Sequence, residues 1–293
     1  MERALQYVMT GISLGSLYAL VALGVVLVYR ANRILNFAHG EVTTVSCYVA
    51  FLLSGQNYPW WLAFAAAVLV GALLSLLFYW CVIIPAQRRQ ATHLGQVALT
   101  LGFALVLQGL ILSFCDTEPQ TFPFPLSESQ VYRLGDVVIS QLGLGALVVG
   151  VVGSLSCFFL VKKTRLGLAM QATSENLPAA QTLGIPTRRI LALSWSLAAA
   201  FGVVAGLFLA TALLIDPFYM LEPFFKGFAA AVLGGLNSLP GAMVGGILLG
   251  VAEALAGGFI SVAFKNALAF LIIIIVLLIR PEGLLGKEFI ERI

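Results

Sequence analysis

His39 and Glu41 are the one histidine and carboxylate that stand close together in this sequence, at the end of Asn32-Arg33-Ile34-Leu35-Asn36-Phe37-Ala38-His39-Gly40-Glu41. Such a pair can move a proton or hold a metal ion, but catalysis needs more than the pair. The spacing HExxH, which puts two zinc ligands on one helix face, is absent, and no serine is recognised on a nucleophile elbow. The phosphate loop GxxxxGK[ST] is missing as well: Gly286-Lys287 is followed by Glu288 and lacks the upstream glycine. Cys47, Cys81, Cys115 and Cys157 form no CxxC and lie in or at the ends of apolar runs, where a thiol acts as a small hydrophobe. No metal, no cofactor and no enzymatic activity is therefore expected of this chain, and the use made of His39 and Glu41 depends on the elements that hold them.

Those elements are apolar. Of 293 residues 60% are apolar and only 10% charged, with a mean hydropathy of +1.01. A soluble domain has about 45–50% apolar and about 25% charged residues, because its surface must be tolerated by water. The charges cluster, leaving uncharged windows of 26 residues between Arg3 and Arg30, Arg89 and Asp116, Arg189 and Asp216, and Lys226 and Glu253, and of 25 between Asp136 and Lys162. Each exceeds the roughly 20 residues a helix needs to cross a hydrocarbon core about 30 Å thick. The 46-residue window from Glu41 to Arg88 is split by the turn-rich Ser54-Gly55-Gln56-Asn57-Tyr58-Pro59 into two spans, and Lys265 to Arg280 encloses only 14 residues. The expected fold is an all-α polytopic membrane protein, one permease-like domain over 1–293, with eight or nine transmembrane or re-entrant helices.

Orientation follows from the basic residues. If the spans alternate, Arg30, Arg33, Arg88, Arg89, Lys162, Lys163, Arg165, Arg188, Arg189, Arg280, Lys287 and Arg292 share one side, whereas Asp116, Glu118, Glu128, Asp136, Asp216 and Glu222 face the other with Arg133 and, as an outer candidate, Lys226. The positive-inside rule makes the basic side cytoplasmic, with the amino terminus outside and the carboxyl terminus inside, which requires an odd number of crossings. The run from Ala4 to Tyr29 is too long for a signal h-region and reads as a retained first span. The net charge of +3 reflects this bias, and no aromatic residues interleave with the basic cluster as single-strand nucleic-acid binding favours.

Twenty-nine glycines need a reason in a helical protein. Gly11/Gly15, Gly202/Gly206, Gly241/Gly245 and Gly246/Gly250 have GxxxG spacing, which puts two glycines on one face and lets helices approach closely, within a chain or between chains. Three interruptions of the apolar pattern hold the rest of the information. Asn36 to Glu41 reads either as a helix start at the interface, with Asn36 as cap and Glu41 near the positive end of the dipole, or as the lining of a polar path. The loop 162–189 predicts two short helices, Arg165 to Ala172 and Pro178 to Leu183, stopped by Gly184 and Pro186; it is either a docking knob with exposed alanines or a solvated loop that fixes topology. The stretch from Phe224 through Gly234-Gly235-Leu236-Asn237-Ser238-Leu239-Pro240-Gly241 is the pattern of a discontinuous or re-entrant helix, which points to a transporter rather than an anchor. Residues 116–139 form an outer loop, and the alternation of Tyr132, Leu134 and Val137 predicts a short hairpin there.

LNFAHGE after the first span, RLGLAMQATSENLPAAQTLGI in the loop and FKGFAAAVLGGLNSLPGAMVGGILLGVAEAL near the end resemble, in order and spacing from Tyr7 to Leu285, the permease subunits of branched-chain amino-acid ABC importers. The loop also resembles the Glu-Ala-Ala signature of importer permeases: Ala179, Ala180 and Gly184 match, but Pro178 stands in place of the glutamate and the nearest acid is Glu175. The resemblance implies coupling through Glu175, Ala179, Ala180 and Gly184 to two ATP-binding subunits. It also implies an outer face that meets a substrate-binding protein, a second related permease subunit as partner, and residence in the bacterial cytoplasmic (inner) membrane. Asn36, His39, Glu41 and Asn237 are the candidate pathway residues, and branched-chain or related amino acids, amides and urea are the candidate solutes. The runner-up is an ATP-independent channel or facilitator for a small polar solute; an integral-membrane enzyme has only His39 and Glu41 in its favour.

Overall fold

Uncharged runs in which every backbone group must be satisfied internally fold as helices. The computed structural model describes residues 2–115, 117–134, 137–261, 264–280 and 282–286. In chain order these form α1 (Glu2–Asn32), α2 (His39–Gly55), α3 (Trp60–Phe78), a π-helical turn (Tyr79–Ile83), α4 (Ile84–Arg88), α5 (His93–Phe114), β1 (Val131–Leu134), β2 (Val137–Ser140), α6 (Gln141–Lys163), α7 (Arg165–Glu175), α8 (Leu177–Thr182), α9 (Thr187–Leu213), α10 (Leu221–Gly234), α11 (Leu239–Phe259) and α12 (Phe264–Ile279). Asp116, Asp136, Lys287 and Arg292 of the charge argument lie outside the described residues.

Among the described residues six helical stretches are long and apolar enough to cross a membrane: Arg3–Asn32, Trp60–Arg88, His93–Phe114, Gln141–Lys163, Thr187–Leu213 and Leu239–Phe259. The segments α2, α10 and α12, with 17, 14 and 16 residues, are shorter. The split at 54–59 is present, with α2 ending at Gly55 and α3 beginning at Trp60. The expected hairpin is present as well: β1 and β2 pair antiparallel, Val131 opposite Ser140 and Leu134 opposite Val137.

The chain divides into two compact units, one made of 1–26, 126–154 and 225–293, the other of 27–125 and 155–224. In the first, the GxxxG faces of α1 and α11 meet. A Cβ on Gly15 would lie 2.7 Å from the Gly246 carbonyl oxygen, and one on Gly11 2.6 Å from the Val251 Cα. These motifs therefore pack within the chain, the alternative that spacing alone left open. In the second unit α3 and α9 flank α2, tied by Ser75 Oγ to the Trp195 carbonyl (3.1 Å) and Ser196 Oγ to the Ala72 carbonyl (3.2 Å). Trp195 is fully buried between the rings of Phe78 and Tyr79, each centroid 5.8 Å away.

The window between Lys226 and Glu253 is not one span. It bends at Gly235, whose φ of +106° is the left-handed region that only glycine enters without strain, and restarts at Ser238, which caps α11 by accepting from Gly241 N–H (3.1 Å). α10 and α11 run antiparallel from this turn, Ala230 pressed on Gly245 and Gly234 on Gly241. The turn meets the segment that follows α12: Leu284 N–H donates to the Leu233 carbonyl (2.8 Å) and Leu285 N–H to that of Gly234 (3.0 Å). The irregular backbone that sequence pattern placed only after α10 also precedes it. α9 ends at Leu214 with φ +69°, and Ile215 exchanges hydrogen bonds of 2.9 and 2.8 Å with Gln120 before α10 begins.

Candidate functional site

α1 closes with Arg33 in the left-handed region (φ +58°), which turns the chain toward α2. Asn36 is not the helix cap that sequence reading made it. Ala38 is the N-cap, without a side-chain bond, and Asn36 acts two residues earlier, its Oδ1 accepting from Ala38 N–H at 3.1 Å. An asparagine can thus build a turn ahead of a helix as readily as cap it. The link is anchored to α5 by Thr100, fully buried, whose Oγ1 accepts from Phe37 N–H (3.2 Å) and reaches the Leu35 carbonyl (3.3 Å).

From this anchored start α2 carries His39, Thr43 and Cys47 at intervals of four, one stripe on a helix. The stripe lies against the glycines of α9. A Cβ on Gly202 would stand 2.7 Å from His39 Nε2 and 2.9 Å from Thr43 Oγ1, and one on Gly206 3.2 Å from both Cys47 Sγ and the Tyr219 hydroxyl. Phe224 covers His39, ring centroids 6.3 Å apart. The hydroxyls of Thr43, Thr44 and Ser46 donate back to carbonyls four residues earlier (2.9, 3.2 and 2.6 Å), so their protons are spoken for. Two groups are not: His39 Nε2 and Glu41 Oε2, on side chains 2% and 7% exposed, have no hydrogen-bond partner among the described residues. Asn36, His39 and Glu41 are all buried at the start of α2, but His39 and Glu41, two residues apart on a helix, point to different faces. Asn237 belongs to the other unit, half-buried in the turn between α10 and α11. The pairing of the stripe with Gly202 and Gly206 was missed at the sequence level, although two matching four-residue spacings were there to be read.

A second polar feature was misread. Lys226, set down as an outer-face candidate, is buried within α10, and its Nζ binds Glu253 Oε1 on α11 at 2.7 Å. Both side chains are about 95% buried (5% and 4% exposed), and the ammonium lies 5.7 Å from the centre of the Tyr18 ring.

In the loop 162–189, α7 begins at Thr164, whose Oγ1 accepts from Gly167 N–H (3.1 Å), and runs three residues beyond the expected Ala172. Asn176 caps α8, its Oδ1 accepting from Ala179 N–H at 2.9 Å, and Ser174 donates to the Gln171 carbonyl. The stop at Gly184 is a Schellman motif: φ is +77°, Gly184 N–H binds the Gln181 carbonyl (3.0 Å) and Ile185 N–H that of Ala180 (3.0 Å). The expectation of exposed alanines holds for Ala179 only. Ala180 is buried, and the exposed apolar groups are Leu168, Leu177 and Leu183. Glu175 and Gly184 are exposed.

Gly11-Ile12-Ser13-Leu14-Gly15 does carry GxSxG spacing, passed over at the sequence level, but α1 holds it in unbroken helix without the strand-to-helix turn that presents a nucleophilic serine. What these arrangements offer is a set of buried polar groups inside apolar helices, the form a solute path takes in a membrane.

The fold and these groups define a polytopic membrane permease. A family model described as branched-chain amino acid transport system / permease component matches residues 7–277, and the chain belongs to that family. It is 33% identical to the high-affinity branched-chain amino acid transport system permease protein LivH of Escherichia coli (strain K12), over 99% of this chain and 97% of that protein. It is 26% identical to LivM, a permease protein of the same description from that strain, over 93% of this chain and 68% of LivM. Among solved structures, PsaBC from Streptococcus pneumoniae in complex with Fab shares the fold at a TM-score of 0.52 and 15% identity, covering 94% of this chain and 91% of that one.

Proposed function

We propose that this chain is the permease subunit of an ABC importer for branched-chain or related amino acids. In this reading it lies in the bacterial cytoplasmic membrane and crosses nine times, with the amino terminus outside and the carboxyl terminus in the cytoplasm. The six long helices supply six crossings, and α2, α10 and α12 the others. The short α10 is supported as a crossing by its turn, which meets the segment following α12. The basic residues of 30–33, 88–89 and 162–189 then share the cytoplasmic side, and the hairpin within 116–139 faces a substrate-binding protein outside.

The observation that carries this reading is the α7–α8 pair, two capped helices between long spans that expose Leu168, Leu177, Ala179 and Leu183 to water. Such a knob needs a partner to cover it, and one of two ATP-binding subunits is that partner, the other meeting the second permease. Glu175 and Ala179 stand on its surface, Ala180 holds α8 against its own unit, and Gly184 ends it. Asn36, His39, Glu41 and Asn237 line the solute path. Similarity to both LivH and LivM of one strain supports pairing with a second, related permease rather than with an identical copy.

Affinity purification from mildly solubilised membranes tests the reading. An ATP-binding subunit should be recovered with the wild-type chain and lost with Gly184→Trp, which should insert normally yet abolish ATP-dependent uptake. Recovery of the chain alone, with solute flux through vesicles that hold nothing else, would replace the importer with an ATP-independent facilitator.

A further inference from the structure

Within the unit built on α1, α10 and α11, one ion pair is buried among apolar groups, and neither the family match nor the pathway residues above account for it. Lys226 lies nine residues before the turn at Gly235, about 13 Å of helix, and Glu253 six residues before the end of α11, about 9 Å. In a hydrocarbon core of about 30 Å both charges sit well inside. Charges there are costly and mark functional positions. Stability does not require them, because a buried pair can be exchanged for apolar residues of similar volume with little loss, whereas loss of one partner strands the other. Packing beside the pair is already close, since a Cβ on Gly227 would stand 2.7 Å from the Val21 Cβ. Glu253 Oε2, on a residue 3% exposed, has no hydrogen-bond partner among the described residues. That oxygen is a buried acceptor for one more cationic donor.

We propose that Lys226 and Glu253 are specificity-determining residues that read the charge pattern of the transported solute. A solute carrying an ammonium and a carboxylate on one carbon can open the pair without stranding either member: its carboxylate takes Lys226 and its ammonium takes Glu253, Oε2 included. A solute with one charge leaves one buried partner unpaired, and a neutral amide or urea satisfies neither in full. The pair therefore selects zwitterions over amides, urea, hydroxy acids and amines. This rests on the permease reading of the preceding subsection.

The test is uptake into proteoliposomes holding the whole importer, with leucine, leucinamide, 2-hydroxyisocaproate and urea as probes. The wild type should take up leucine in an ATP-dependent way; failure there overturns the permease reading itself. Given that uptake, Lys226→Met/Glu253→Leu should insert, elute as a stable particle and co-purify with the ATP-binding subunits, yet lose leucine uptake by about a hundredfold, the effect of losing two charge-assisted contacts at about tenfold each. Glu253→Gln keeps size and an acceptor for Lys226, and serves if the double variant does not fold. It should raise the KM for leucine and narrow leucine's advantage over 2-hydroxyisocaproate, which lacks the ammonium that Glu253 takes, while still co-purifying with the ATP-binding subunits. Wild-type leucine uptake by the double variant, or an unchanged KM and selectivity in Glu253→Gln, would reduce the pair to a structural clasp and overturn the proposal.

Discussion

His39, Thr43 and Cys47 face two glycines of α9 so closely that the glycines are part of the site. Any side chain at position 202 must displace the imidazole or the Thr43 hydroxyl, and overpacking of that kind costs about 1–3 kcal/mol. Gly202→Val should therefore lower the thermal unfolding temperature of the detergent-solubilised protein, with Gly202→Ala affected less; an unchanged temperature for both would mean that α2 and α9 do not approach so closely in the membrane. Each half of this contact was legible in the sequence. His39 and Glu41 stood out as ionisable groups beside an apolar run, and Gly202/Gly206 as a close-approach motif. Their meeting was not legible, because helical periodicity says which residues share a face and not which face lies opposite. Asn36 teaches the same at shorter range: its type announced a turn, but the backbone decided that it would bond Ala38 N–H two residues on rather than cap the helix.

At the scale of elements, the packing of α1 on α11 depends on backbone meeting backbone. Gly250 lies on Gly11 and Gly15, and Gly246 on Ala19, so that no side chain larger than hydrogen fits. Without a hydrophobic force between helices in lipid, such close approach is what holds them together. Gly250→Leu should leave membrane insertion intact, since leucine favours it, but turn a single elution peak in fluorescence-detected size-exclusion into an aggregated one; a normal peak would show that α1 and α11 tolerate separation. The long helices were readable from charge-free windows, and the two short helices of 162–189 from their capping residues. The break after α10 was readable from its glycines and proline, but the irregular backbone before α10 was not, because Leu214 and Ile215 lie inside the uncharged window that ends at Asp216 and carry no turn-forming type.

For the whole molecule the nine proposed crossings fix which loops face outside. In a variant stripped of its four native cysteines, single cysteines at Gln56 and Glu118 should react with a membrane-impermeant maleimide added outside, and those at Arg89 and Glu175 only after permeabilisation. Labelling of Glu175→Cys from outside would invert the topology and take the ATP-binding partners from the α7–α8 knob. The sequence by itself determined that this chain is a bundle of membrane helices with three interruptions, where the apolar pattern breaks and where it turns. Hydrocarbon tolerates no unsatisfied backbone and few charges, so composition alone marks what is inside and what is out. Only the tertiary structure decided the partners. Lys226 and Glu253 bound an uncharged window in the sequence and looked like its two ends; the turn at Gly235–Ser238 folds that window back and brings the two charges to 2.7 Å. Proximity across a hairpin depends on where the backbone bends and on how closely its two arms pack; residue type marked the bend, and only the packed arms decided the closeness.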